Sequence, residues 1–232
     1  MTWFVDNFDM IRELFVRHAW ISVVSTVIGF VIALPVGWFA HEHPRIRGVS
    51  VAIVGILYAI PSIAVFVLLP GILGTGFLSV VNVVVALSIY AAAVMVRTVS
   101  DAFDSVSPSV LDAASAAGFS RRQRVFRVEL PLAGPVLLAG LRVVSVSTVS
   151  MLSVATLIGV SNLGSLFTDG FRRDFQTEIV IGILAIVVLA LVLDVLLVVA
   201  GRLLMPWTRG QRTVAPRLRP VEDESSRGVR AR

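Results

Sequence analysis

Residues Ile179 to Leu204 read IVIGILAIVVLALVLDVLLVVAGRLL, a run of 26 positions in which only Asp194 and Arg202 carry charge. About 20 predominantly apolar residues are enough for a helix to cross a bilayer, and the run shows none of the period-two alternation of a barrel strand. Four more runs of this kind lie upstream. Trp20 to Ala40 (21 residues), Val49 to Leu69 (21) and Phe77 to Val96 (20) hold no charge, and Leu132 to Val160 (29) holds only Arg142. The expected fold is an all-α integral membrane protein with five transmembrane helices.

Composition agrees. Of 232 residues 56% are apolar and 15% charged, so the mean hydropathy of +0.90 points to lipid as the main solvent. All 20 basic residues are arginine, and cysteine is absent. A phosphate-binding P-loop requires its lysine and a Schiff-base enzyme its amine, so neither ATP hydrolysis through such a loop nor imine chemistry is available to this chain. A thiol nucleophile and a disulfide scaffold are excluded as well. The net charge of +5 and pI near 11.1 would suggest nucleic acid in a soluble protein. Here the placement of the arginines explains them instead, and no nucleic-acid partner is expected.

With the N-terminus outside, 15 arginines fall on the inner side of the spans and 4 on the outer side, with Arg142 inside a span. That bias obeys the positive-inside rule, and the opposite orientation violates it. Trp20, Trp38 and Trp207 fall at span ends, where interfacial indoles belong. Residues 1–19 contain Asp6, Asp9 and Glu13, unlike a basic secretory leader, and Phe8, Ile11, Leu14 and Phe15 fall at helical spacing. They are expected to form an amphipathic segment lying on the membrane surface. Residues 20–205 then form the five-helix transmembrane domain. Residues 206–232, rich in Pro, Arg and acidic groups, form a disordered cytoplasmic tail drawn to anionic membrane lipid.

The cytoplasmic loop 98–131 is too structured for a connector. Ser107 suits an N-cap and Pro108 a first helical position, an alanine-rich stretch follows, and Gly118 can take the left-handed conformation that ends a helix. Ser120 with Gln123 three residues later makes a capping box for a second short helix, which Pro131 stops at the membrane. Two short helices joined at a glycine give a compact knob.

The order Asp112-Ala113-Ala114, three residues, Gly118, nine residues, Val128-x-Leu130-Pro131 resembles the EAA motif of ABC-importer permeases, with Asp for Glu and Val for Ile as departures. In that family the knob docks in a groove of a separate ATPase subunit. The resemblance therefore implies a type I importer architecture and a coupling role for Asp112, Ala113, Ala114, Gly118, Phe119, Arg121, Arg122, Leu130 and Pro131. It also implies as partners ABC ATPase subunits, a second permease copy or paralogue, and an extracytoplasmic solute-binding protein. Tyr58-Ala59-Ile60-Pro61-Ser62-Ile63-Ala64 is similar to the T-I-P-S-L-A stretch of osmoprotectant permeases, which serve glycine betaine, carnitine and choline. Gly140-Leu141-Arg142 and the turn Ile158 to Gly164 are similar to that family too, Asn162 replacing a glycine at what is expected to be a left-handed position. Methionine-type permeases share the five-span plan, and the Ile-Pro-Ser stretch tips the choice. With only two Tyr and four Trp, three of them at span ends, the chain shows no aromatic cage for a quaternary ammonium.

Inside the membrane, Arg142 and Asp194 lie at one depth, roughly 15 Å from the cytoplasmic edge by helical rise, which points to an ion pair between the last two helices. Pro61 and Pro135 are expected to kink their helices, and Ile60, Pro61, Ser62 and Asn162 to line a passage. Ser22, Thr26, Gly29, Ala33 and Gly37 form a small-residue stripe for close helix packing. His41-Glu42-His43 is too short for a metal site, no cofactor is required, and Gly-x-Ser-x-Gly and His-Glu-x-x-His motifs are missing, so no enzyme is expected. An ATP-independent channel or carrier is the alternative, and it leaves the knob unexplained.

Overall fold

The computed structural model describes residues 2–208. After a short α1 (Thr2–Asp6) come α2 (Phe8–Glu42), α3 (Pro44–Ala59), α4 (Ser62–Leu73) and α5 (Val80–Asp104). The knob holds α6 (Pro108–Ala116) and α7 (Arg121–Arg124). A π-helical turn (Val125–Glu129) then leads into α8 (Leu130–Val154), and a 3-10 turn (Ala155–Ile158) ends it. Outside, α9 (Ser165–Arg172) precedes the final α10 (Gln176–Leu204). Among the described residues four helices are long and apolar enough to cross a membrane: Phe8–Glu42, Val80–Asp104, Arg121–Ile158 and Gln176–Leu204. The bent pair Arg45–Leu57 with Ser62–Leu73 passes the same test only when its two arms are taken together, which brings the number of candidate spans to four or five.

Three expectations change. The second span is not a kinked rod but two helices at 99°. Pro61 lacks an N–H and disfavours helical backbone at the residue before it. Accordingly Ile60 is extended (φ −79°, ψ 124°) and ends α3, and Pro61 begins the next element.

Nor does Pro131 stop the helix before it. The 38-residue helix Arg121–Ile158 runs straight through it. The π turn makes this possible: Leu130 N–H reaches back to the Val125 carbonyl, five residues away, so the ladder shifts register where proline offers no donor.

The N-terminal segment, thirdly, is continuous with the first span. At about 1.5 Å per residue, the 35-residue α2 is far longer than a ~30 Å hydrocarbon core, so its first turns project beyond it. Leu14, Phe15 and Ala19 on those turns pack against Leu163, Leu166 and Leu189 of the outer end.

Lipid tails give apolar helices no hydrophobic reason to associate, so packing depends on close backbone approach. The small-residue stripe supplies it. Ser22, Thr26, Gly29, Ala33 and Gly37 are all buried on α2. A Cβ added to Gly29 would lie 2.5 Å from the Ala91 Cβ and 2.9 Å from the Ala92 backbone nitrogen, so α2 and α5 touch backbone to backbone there. Below that contact a cluster of Met95, Val99, Phe103 and Leu137 fills the cytoplasmic half. Above it Ile21, Phe66, Leu87 and Leu152 fill the outer half. In contrast α10 is exposed or half-buried along nearly all its length, with Gly182, Leu189 and Gly201 among its few buried positions.

Candidate functional site: the cytoplasmic knob and the broken span

Local sequence builds the knob. Ser107 has the extended backbone of an N-cap (φ −60°, ψ 130°), but its hydroxyl meets Ser109 Oγ at 2.8 Å instead of capping the helix. Pro108 follows at the first helical position. At the other end Gly118 is left-handed (φ +81°). Phe119 N–H donates to the Ala114 carbonyl at 3.1 Å and Gly118 N–H to the Ser115 carbonyl at 3.0 Å, the paired bonds of a Schellman stop. Ser120 then opens α7 with a complete capping box: its N–H donates to Gln123 Oε1 at 2.9 Å, and its Oγ accepts from Gln123 N–H at 3.4 Å.

No side chain of α6 is buried. Asp112, Ala113, Phe119, Arg121 and Arg122 are exposed, and Ala114, Leu130 and Pro131 are half-buried. The knob thus presents a nearly flat alanine surface flanked by guanidiniums, a shape that another backbone can approach closely. It is braced from behind. Leu111 packs on the cluster containing Phe103 and Val106. Arg124 bridges Glu129 at 2.8 Å and Ser115 Oγ at 3.3 Å, tying α7 to α6 and to the buried start of the next span. Arg121 pairs with Glu42 and lies 5.8 Å over the Trp38 ring, tying the knob to the end of α2.

A second ionic group holds the neighbouring elements. Arg47 bonds Asp101 and Asp104 at 2.8 Å each, and His41 meets Asp104 at 2.6 Å. Exposed pairs of this sort contribute about 0.2–1 kcal/mol each, so they set the register of α2, α3 and α5 more than their stability.

At the bend, Ile60 and Pro61 are exposed and Ser62 is half-buried. The carbonyl that the break frees at Ile60 accepts the Tyr90 hydroxyl at 2.8 Å, which allows non-helical backbone at membrane depth. Asn162, expected with these residues on a passage, is fully buried, and its backbone is not left-handed; the left-handed residue of that turn is Gly159 (φ +86°). Its amide donates to the Val160 carbonyl at 2.8 Å and accepts Gly164 N–H at 2.7 Å, so the side chain is spent inside the turn.

The structure brings Arg142 and Asp194 together. Arg142 Nε and Nη2 donate to the two carboxylate oxygens at 2.6 and 2.7 Å, a bidentate pair joining α8 to α10. The pair sits at the rim of the bundle, with 41% of the arginine and 25% of the aspartate side chain exposed.

One organising residue escaped the sequence reading. His18 is completely buried near the outer end. Its Nε2 lies 3.0 Å from the Val149 carbonyl, and its Nδ1 accepts Leu163 N–H at 3.2 Å, so α2, α8 and the turn before α9 meet on one neutral imidazole. Its place before the uncharged run, among charged residues, marked it as surface. Only its helical register with buried Ile11, Ile21 and Ser22 could have placed it inside.

Residues 18–210 match the family model described as binding-protein-dependent transport system inner membrane component. The chain is 30% identical over 196 residues to the osmoprotectant import permease protein OsmW of Salmonella typhimurium, covering 83% of this chain and 91% of that one. It is also 30% identical over 191 residues to the choline transport system permease protein OpuBB of Bacillus subtilis, covering 82% and 86%. Among solved structures, an inward-facing MetNI methionine ABC transporter chain aligns with TM-score 0.66 and 27% identity over 84% of this chain and 96% of that one. A chain of an amino acid ABC transporter solved with histidines aligns with TM-score 0.71 at 16% identity, covering 87% and 97%, a likeness of fold alone.

Proposed function

The chain belongs to the family of binding-protein-dependent transport system inner membrane components, and from that membership we propose that it moves an osmoprotectant of the glycine betaine, carnitine or choline class. It is the transmembrane permease subunit of an ABC importer. In the proposed cycle two permease subunits, this chain with a copy or paralogue, sit over two ATPase subunits. A separate extracytoplasmic receptor delivers the solute. ATP-driven closure of the ATPases moves the two knobs, and the spans respond by exchanging inward and outward openings.

The observation that carries this reading is the knob: an alanine surface around exposed Asp112 and Ala113 and half-buried Ala114, ended by left-handed Gly118 and braced by Arg121 and Arg124. Such a rigid plug transmits force where a mobile loop would not. The bend at Ile60–Pro61, with non-helical backbone at membrane depth and both residues exposed, supports these residues and Ser62 as part of the passage. Selection of the solute falls chiefly to the receptor, since only two Tyr and four Trp are present to build a cage.

The test is uptake by proteoliposomes containing the permease, its ATPase and its receptor. Radiolabelled glycine betaine or choline should accumulate with ATP and not without it. Accumulation of methionine alone would overturn the solute assignment, and uptake independent of ATP would overturn the importer reading.

A further inference from the structure

A groove of about 510 Å³ opens beside the knob, where α2, the end of α5 and the start of the Arg121–Ile158 helix meet. Leu34, Pro35 and exposed Phe126 make its apolar wall, Trp38 lies along it, and exposed Arg121 and Arg122 complete the lining. Its volume is that of an ordinary ligand site. Its depth is set by α2: Trp38 is near the cytoplasmic end of that helix and Leu34 one turn further into the bilayer. The two chemistries are therefore stacked along the membrane normal, cationic at headgroup level and apolar at acyl level.

The guanidiniums are not equivalent. Arg121 is engaged with Glu42 and Trp38, and Arg124 with Glu129. Among the described residues the Arg122 guanidinium has no hydrogen bond or ion pair, and Arg122 is exposed where it lines the groove. A planar fork with free donors suits a phosphate diester, and a basic pocket between helices on the cytoplasmic side suits an anionic lipid headgroup.

We propose that this groove binds one anionic phospholipid of the inner leaflet, its phosphate on Arg122 and one acyl chain along Leu34, Pro35 and Phe126. The lipid would bridge the end of α2 to the root of the knob, alongside the Arg121–Glu42 contact. The assignment depends on the membrane orientation and not on which solute is carried.

The test uses the full chain, without ATPase, in nanodiscs of equal phosphatidylglycerol and phosphatidylcholine. Native mass spectrometry then reads which lipids stay bound on release. The wild type should retain one phosphatidylglycerol in preference to phosphatidylcholine. In Arg122→Gln that preference should fall about fivefold, the worth of one arginine at an anionic surface. Leu34→Phe, which narrows the acyl wall without touching charge, should lower retention as well. Arg127→Gln removes another exposed arginine outside the groove and should leave the preference unchanged. Equal retention of the two lipids by the wild type would overturn the proposal. So would an unchanged preference in Arg122→Gln, or an equal loss in Arg127→Gln.

Discussion

Replacing Gly118 isolates the geometry of the knob from every other contribution. Its φ is +81°, and no atom lies within 4 Å of where a Cβ would sit, so a side chain there meets no steric obstacle and only backbone strain changes. A left-handed conformation costs an ordinary L-residue roughly 1–2 kcal/mol, less for Asn, and more for a β-branched residue. No side chain of α6 is buried, so that strain cannot be absorbed by unfolding the bundle. It acts on the Schellman turn, whose two bonds at 3.1 and 3.0 Å hold the alanine surface at its angle to α7. If the ATPase recognises the formed turn, Gly118→Ala should weaken its binding by roughly 5- to 30-fold, from 1–2 kcal/mol at 1.4 kcal/mol per decade. Gly118→Asn should lose less and Gly118→Val more. The assay is titration of purified ATPase onto the permease in nanodiscs, with thermal unfolding measured in parallel. Equal affinity for all four proteins would refute the reasoning. So would the order Val, Ala, Asn from strongest to weakest, or an affinity loss matched by a fall in the melting temperature of the bundle.

Gly29→Val should destabilise by about 1–3 kcal/mol or abolish assembly, because its Cβ would meet the Ala91 Cβ at 2.5 Å and the backbone beyond it, whereas Gly55→Ala, with nothing within 4 Å, should be neutral in the same thermal scan. His18→Ala leaves the buried Leu163 N–H without its acceptor and should cost about 1–3 kcal/mol, read as a lower melting temperature; an unchanged value would show that the imidazole is not the tie between α2 and the outer turn. Arg142→Ala and Asp194→Ala should each lower thermal stability, and the double variant should recover part of the loss because neither charge is then left alone in the membrane; a double variant no better than its singles would contradict a mutual pairing. Tyr90→Phe removes the donor to the Ile60 carbonyl and should slow uptake at the bend while ATPase binding stays as in the wild type.

The knob was legible residue by residue because its signals are local. Pro108, Gly118, and Ser120 with Gln123 each specify a backbone conformation without help from distant contacts, and the capping box forms as the spacing requires. Long apolar runs likewise identify the spans, because the bilayer sets their length. Hydropathy does not record direction, however. The run Val49 to Leu69 reads as one rod kinked at Pro61, yet it turns through 99°, and at that turn the hydroxyl of Tyr90, 30 positions away, donates to the freed Ile60 carbonyl. Pro131 misled for a related reason: proline argues for a stop only if the helix keeps its i−4 ladder, and a π turn shifts that ladder. Asn162 and His18 depend on each other's neighbourhood at the outer turn, and nothing in either local sequence announces it.

The most direct test of coupling through the knob exploits the absence of native cysteine. Ala113→Cys, exposed on α6, and Arg45→Cys, exposed at the start of α3 ahead of the membrane run, can each be paired through a short bismaleimide with a cysteine introduced in the ATPase subunit of the assembled complex. A crosslinked permease–ATPase product from Ala113→Cys alone, with a yield that changes on addition of ATP, is the expected result. No product from Ala113→Cys, or an equal and nucleotide-independent product from Arg45→Cys, would contradict the claim that this plug joins the membrane helices to their motor.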